Sequence, residues 1–421
     1  MEKIIVKSGR NLKGEVNISS AKNSVLPIIV ASILCPEEIA IKNAPMLEDV
    51  NVICKVLYKL NCKVTISNID NTIKINTRDI VKTNSDSELI RKMRASFLLM
   101  GPMIARHGYC KLSLPGGCNI GSRPIDLHLK GFKALGVQIN IGHGFVEAKV
   151  KKLKGNRIYL DFPSVGATEN ILMAACLAEG TTVIDNAAEE PEIWDLANFL
   201  NKMGAKISGA GTKKITIEGV RKLKGVEYQP IFDRIEAGTF MVAAAITNSI
   251  IKINGVNSEH VSPLIDKLKE CGVRFVCDKN NFIVDGTNVD KKSVDIKTMP
   301  YPGFPTDMQP QMMSLLSTIN GSSIVTETVF ENRFMHVQEL IRMGANIKID
   351  GRTAFIEGVP KLTGCEVKAT DLRAGAAMIL AGLVAEGTTE IGDIYHIDRG
   401  YTNIEYKFNS LGADICRVKD K

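Results

Sequence analysis

Arg333–Val359 reads RFMHVQELIRMGANIKIDGRTAFIEGV, and its three parts set the pattern for the whole chain. The first eleven residues place apolar side chains at helical spacing with charges on the opposite face. Gly344 then stops the helix, since glycine adopts the left-handed angles a helix end requires. The remainder alternates polar and apolar residues about Asp350-Gly351, which predicts a hairpin. The same helix stop and strand start recur as KLNCKV at Asn61, ALGVQI at Gly136, KMGAKI at Gly204, ECGVRF at Gly272 and SLGADI at Gly412. The six stops lie 75, 68, 68, 72 and 68 residues apart, so the chain is built of six units. In the first unit asparagine, the other residue tolerant of left-handed angles, replaces glycine.

Each unit also carries an apolar helix rich in small residues, such as GATENILMAACLAEG from Gly166 or RAGAAMILAGLVAEG from Arg373. Such a helix is apolar on all sides and belongs in an interior. A short strand follows it, then the amphipathic helix and the hairpin, giving a β-α-β-α-β-β unit. The expected fold is α/β, with six such units packed three per domain, helices buried and sheets outside. The division falls after the third unit, near Gly225 to Asp233, and ligands are expected in a cleft between domains.

Composition narrows the function. At 421 residues and 45% hydrophobic content the chain can bury large cores. It opens MEKIIVKSGRNLKGEV, without a secretory pattern, and its longest apolar run, near Val25 to Cys35, is broken by Pro27. No membrane span and a cytoplasmic location are expected. Ten cysteines form no C-x-x-C pair, and six histidines never reach metal-ligand spacing, so neither disulfide, metal nor cofactor is expected. The net charge is +7, but Lys and Arg are dispersed, and 14 Phe, 8 Tyr and 1 Trp make no stacking platform. Small anions therefore suit the chain better than nucleic acid, and a monomer is expected.

Two features point to chemistry. Ser113–His128, SLPGGCNIGSRPIDLH, carries Cys118 on a loop after two glycines and near Arg123, a setting that favours the reactive thiolate. The starts of helices carry the second. Cations there oppose the helix dipole by about 0.3–1 kcal/mol. Yet Lys22-Asn23, Arg94 and Arg373 stand at first-helix starts, and Arg123, Arg333 and Arg399 at second-helix starts, while Asp307 occupies the fifth unit's first start. Cations so placed are stabilised when an anion lies in front of them. Asp307, beside Thr306, reads equally as a helix cap. No phosphate-cradling GxxxxGK[ST] loop, G-x-S-x-G elbow or dinucleotide fingerprint is present, which excludes common kinase, hydrolase and dehydrogenase readings.

The segments AKNSVLP from Ala21, MRASFLLMGP from Met93, PGGCNIGSRPIDLHLKGFKALG from Pro115, FPTDMQPQ from Phe304, TVFENRFMHVQELIRMGA from Thr328, TDLRAGAAMILAG from Thr370 and HIDRGY from His396 resemble the enolpyruvyl transferase family, in order and over the whole length. The branch resembled is the one that takes UDP-N-acetylglucosamine as acceptor; the shikimate 3-phosphate branch shares the six units but lacks the cysteine loop. The resemblance implies an inside-out α/β barrel in each of two domains, 21–231 and 1–20 plus 232–421. It implies transfer of enolpyruvyl from phosphoenolpyruvate to the 3-hydroxyl of UDP-N-acetylglucosamine, releasing phosphate through a tetrahedral intermediate, in the first committed step of peptidoglycan precursor synthesis. It assigns Lys22, Arg123 and Arg399 to phosphoenolpyruvate, with Arg94, Arg333 and Arg373 assisting. It assigns Asn23 to the sugar, Arg123, Pro124, Ile125, Asp126 and Leu127 to the uridine end, Ser164, Val165 and Gly166 to the diphosphate, and Val329 to the sugar side. Asp307 is implied as general base, Asp371 as an aid to the proton steps, and Cys118 as the lid cysteine alkylated by fosfomycin. Where some members carry a basic residue two positions before Ser164, this chain has Phe162. A shikimate 3-phosphate acceptor and a non-catalytic nucleic-acid-binding repeat protein are the rival readings.

Overall fold

The computed structural model describes residues 2–81, 84–85, 94–114, 125–278 and 281–419. All six expected stops adopt positive φ: Asn61 at 64°, and Gly136, Gly204, Gly272, Gly344 and Gly412 between 90° and 106°. Each is followed by a strand, so the local chemistry of one residue sets the boundary in every unit.

Six four-stranded sheets result, all with one topology. In the fifth unit Ile296–Lys297 pairs parallel with Ser322–Thr326, which pairs antiparallel with Thr353–Glu357, and Asn346–Asp350 forms the edge. The hairpin turn is Gly351-Arg352, one residue later than the sequence pattern centred it, because Asp350 still pairs with Thr353. Alternation decides the faces: Ala354 and Ile356 are buried while Phe355 between them is exposed.

Three sheets borrow a strand from a distant part of the chain. Glu2–Lys7 lies between Thr388–Gly392 and Asp414–Lys419 and completes the sixth sheet. Lys13–Asn17 pairs parallel with Ile250–Asn254 in the fourth. Glu227–Tyr228 pairs with Ile39–Ile41 in the first.

The described residues fall into two compact units, residues 2–19 with 232–419 and residues 20–114 with 125–231. In the first of these the helices Arg234–Ile246, Gln309–Leu316 and Leu372–Val384 pack on one another, almost every residue buried, beneath the apolar faces of three sheets. This is the inside-out arrangement. Close approach needs small residues: a Cβ on Gly375 would meet Ile397 Cγ1 at 2.3 Å. In the other unit Lys22–Ala31, Met100–His107 and Val165–Ala175 are the buried helices, with a hydrophobic core running from Val25 to Leu223. Their strands likewise bury one face only. Among the described residues no helix is long and apolar enough to cross a membrane.

Candidate functional site

In the unit containing residues 232–419, the short turn Thr306–Met308 opens the helix Gln309–Leu316 and presents Asp307. Asp307 does not cap that helix. Its Oδ1 accepts from Arg333 Nη2 at 3.0 Å, and its Oδ2 accepts from Arg373 Nη2 at 3.0 Å and Nε at 3.2 Å. Both arginine side chains are nearly sealed, at 3% and 2% exposure, whereas the Asp307 side chain is 27% exposed. Two buried guanidinium groups therefore hold one partly exposed carboxylate in place through charge-assisted bonds.

Arg373 is held in turn. Its guanidinium carbon lies 5.4 Å from the Tyr401 ring centroid, within cation–π range. The buried Tyr401 hydroxyl is 3.0 Å from Thr239 Oγ1 and accepts from Gln311 Nε2 at 3.3 Å. Asp371 caps the helix Leu372–Val384, its Oδ1 accepting from the Arg373 and Ala374 backbone N–H groups at 2.8 and 3.1 Å. Its Oδ2 is buried without a partner, as are Arg373 Nη1, Arg333 Nε and both amide atoms of Gln309. Burial lowers the His336 imidazole to about 4, with Asp371 opposing that shift and Arg333 adding to it. His396 is also lowered, by burial first and then by Arg399.

Two cations stand elsewhere than expected. Arg333 lies in the turn four residues ahead of Val337–Arg342, and Arg399 closes the short helix Tyr395–Asp398, so neither begins a second helix. The chain between the strand end at Thr326 and Val337 is spent in turns, which frees Arg333 to reach Asp307. Val329 is half-buried, and its N–H donates to Glu327 Oε1 at 2.8 Å. Glu327 was not anticipated: a glutamate in TETVFEN carries no pattern that marks it as buried.

The other unit holds the remaining candidates. Lys22 begins the helix Lys22–Ala31, and its Nζ sits 2.7 Å from Asp49 Oδ2, both side chains mostly buried. That carboxylate offsets the misfit of a lysine at a helix start. Asn23, one residue on, is exposed. Arg94 begins the turn Arg94–Leu99. Ile125 precedes the helix Asp126–Ala134, with Asp126 exposed and Leu127 half-buried. Ser164 caps Val165–Ala175, its Oγ accepting from Ala167 N at 3.4 Å, so Val165 and Gly166 form the first turn, where N–H groups point outward. Gly166 packs closely, since a Cβ there would lie 3.3 Å from His128 Cε1 and the ring would have to give by a few tenths of an ångström. Phe162 is largely exposed, and its carbonyl accepts from Ser164 N. Cys118, Arg123 and Pro124 lie outside the described residues.

The family model described as EPSP synthase (3-phosphoshikimate 1-carboxyvinyltransferase) matches residues 6–408. A protein named UDP-N-acetylglucosamine 1-carboxyvinyltransferase 2 from Clostridium tetani is 67% identical over 99% of this chain and 100% of its own length. One named UDP-N-acetylglucosamine 1-carboxyvinyltransferase 1 from Clostridium acetobutylicum is 63% identical over the full length of both. Among solved structures, the enolpyruvyl transferase NikO from Streptomyces tendae superposes with a TM-score of 0.91 at 24% identity, covering 100% of this chain and 99% of its own. EPSP synthase from Acinetobacter baumannii superposes with a TM-score of 0.78 at 18% identity, with full coverage of both chains. The two structures speak for the fold.

Proposed function

Because the chain belongs to the enolpyruvyl transferase family, as its full-length match and 67% identity establish, we propose that its site works as follows. The protein transfers enolpyruvyl from phosphoenolpyruvate to the 3-hydroxyl of UDP-N-acetylglucosamine and releases phosphate, in peptidoglycan precursor synthesis. The acceptor oxygen adds to C2 of phosphoenolpyruvate while a proton is delivered to C3. Loss of a proton from C3 and of phosphate from C2 then gives the enol ether.

The observation that carries the site reading is the Asp307 carboxylate, anchored by two buried guanidinium groups and itself 27% exposed. A general base needs to be ionised, oriented and within hydrogen-bond reach of the hydroxyl it serves. Arg333 and Arg373 orient the carboxylate, and their positive charge favours its ionised form. Lys22, Arg123 and Arg399, with Arg94, bind phosphoenolpyruvate and stabilise the charge of the tetrahedral intermediate. Asn23 and Val329 hold the sugar, Arg123 to Leu127 the uridine end, and the helix start at Ser164, Val165 and Gly166 the diphosphate through backbone N–H groups. That contact needs no basic side chain at Phe162. Asp371 assists proton transfer, and Cys118 acts on its loop as acid, nucleophile or release group and is alkylated by fosfomycin. The enzyme works in the cytoplasm as a monomer.

Incubation with both substrates is expected to release phosphate, and shikimate 3-phosphate in place of the nucleotide sugar is expected to release none. Release with shikimate 3-phosphate alone would move the chain to the other branch. Fosfomycin is expected to add its mass to Cys118; an intact, unmodified Cys118 peptide after treatment would remove that assignment.

A further inference from the structure

Glu327 follows the strand Ser322–Thr326 and is 1% exposed, which is rare for a glutamate. Its Oε1 accepts from Thr298 Oγ1 at 2.8 Å, Val329 N at 2.8 Å and Phe330 N at 3.2 Å. Its Oε2 accepts from Thr306 Oγ1 at 2.8 Å. All four donors are neutral, and three chain segments meet on one side chain. Thr298 reinforces the junction by accepting Thr328 N at 2.9 Å on its hydroxyl. A buried acceptor is held only where its bonds are complete, and here both oxygens are used.

The segments so joined are not arbitrary. Thr306 immediately precedes Asp307, and Val329 is the backbone position that Glu327 fixes directly. We infer that Glu327 is a positioning residue, setting the distance between the Val329–Phe330 backbone and the Thr306-Asp307 turn so that the acceptor hydroxyl meets the Asp307 carboxylate. This rests on the reading of the reaction given above. Glu327 touches neither substrate nor reacting atoms in this role. Its influence is geometric, and a displacement of about 1 Å in such a site costs up to roughly 10²-fold in rate.

Glu327→Gln keeps the size and one acceptor oxygen but offers an NH2 group where Thr306 donated. Glu327→Ala removes the junction altogether. In phosphate-release kinetics with both substrates, Glu327→Gln is expected to lower kcat by about tenfold and to raise KM for UDP-N-acetylglucosamine, while KM for phosphoenolpyruvate stays within about twofold. Its thermal unfolding is expected to remain near that of the wild type, and amide exchange at Val329 and Phe330 to quicken. Glu327→Ala is expected to exaggerate the same split. A folded Glu327→Gln with all three constants within about twofold of wild type overturns the positioning role, as does an equal rise in both KM values, which marks general loosening. A wild-type protein that releases no phosphate from this substrate pair overturns the reaction reading and this assignment with it. Active wild type with unaffected variants sinks the assignment alone.

Discussion

Two buried helices of the same unit begin with an aspartate cap, and what surrounds each cap differs. Asp233 Oδ1 accepts from Ile235 and Glu236 N–H at 2.8 and 3.0 Å, opening Arg234–Ile246. Beside it the buried Glu236 accepts from Ser19 N at 2.7 Å and from Lys407 Nζ at 2.6 Å. Asp371 Oδ1 makes the equivalent pair of bonds, but its other oxygen and one nitrogen of Arg373 are buried without partners. Each orphaned group costs about 1–3 kcal/mol. A fold tolerates that where the groups are completed by something else in use. Under the proposed reaction, the contrast sets a helix start that holds the fold against one that serves the site, although the cap is the same residue with the same bonds.

The largest expected break in this comparison is Asp307→Asn. The amide cannot take a proton from an acceptor hydroxyl, and turnover is expected to fall by about 10²–10⁴-fold. Phosphate release at saturating substrates measures it, and retained turnover would return Asp307 to a purely structural role. Charge reversal at this position is the poorer probe, because it would place a third cation against Arg333 and Arg373.

Lys407→Met attacks the fold-holding side. It strands Glu236 in the interior and is expected to cost about 3–5 kcal/mol in chemical denaturation. Turnover per folded molecule is expected to stay unchanged; a loss of turnover at intact stability would erase the distinction drawn between the two helix starts.

Asp371→Asn sharpens the comparison, since the side-chain oxygen can still cap while the orphaned oxygen becomes an NH2 group. Stability is expected to change by less than about 1 kcal/mol, the scale of a whole cap, while turnover falls by roughly 10²-fold. If stability falls and turnover does not, Asp371 is a cap and nothing more.

The smallest effect is in pH. Burial holds His336 at about 4 against an ordinary 6.5. The folded state therefore favours the neutral ring, and the unfolded chain binds a proton first as pH falls. Stability is fully present above about 6.5 and is lost between there and about 4, at up to roughly 1.4 kcal/mol per pH unit. Denaturation at pH 7 and pH 4.5 should show a shallower loss in His336→Gln than in the wild type; identical slopes would count against it.

The unit pattern was legible because it rests on local chemistry. Asn61 and the five glycines act through their own backbone angles, and strand alternation acts through neighbouring side chains. Borrowed strands were not legible in that way. Glu227–Tyr228 is too short for any period to show, and nothing within Glu2–Lys7 states that Ile4 will face Ile391. Resemblance indicated that the first residues belong with the later units, but not which sheets they enter. At the site, cations at helix starts were visible as misfits. Their pairing was not: Arg333 and Arg373 meet on Asp307, and Lys22 meets Asp49, through packing distant in sequence. Glu327 left no trace, since a single charged residue among polar neighbours reads as surface.

The strand Glu2–Lys7 has a consequence in time. A ribosome delivers it long before the strands that flank it, Thr388–Gly392 and Asp414–Lys419. At about 5–20 residues per second, roughly 20–80 s pass between them. Throughout that interval Ile4, Ile5 and Val6 form an apolar strand with no sheet to join, the kind of segment that pairs with the wrong neighbour. Glu2, Lys3 and Lys7 bracket it with charge and act as gatekeepers during synthesis. In the finished molecule Lys3 pairs with Glu390, so a charge that guards the nascent chain later helps lock the sheet.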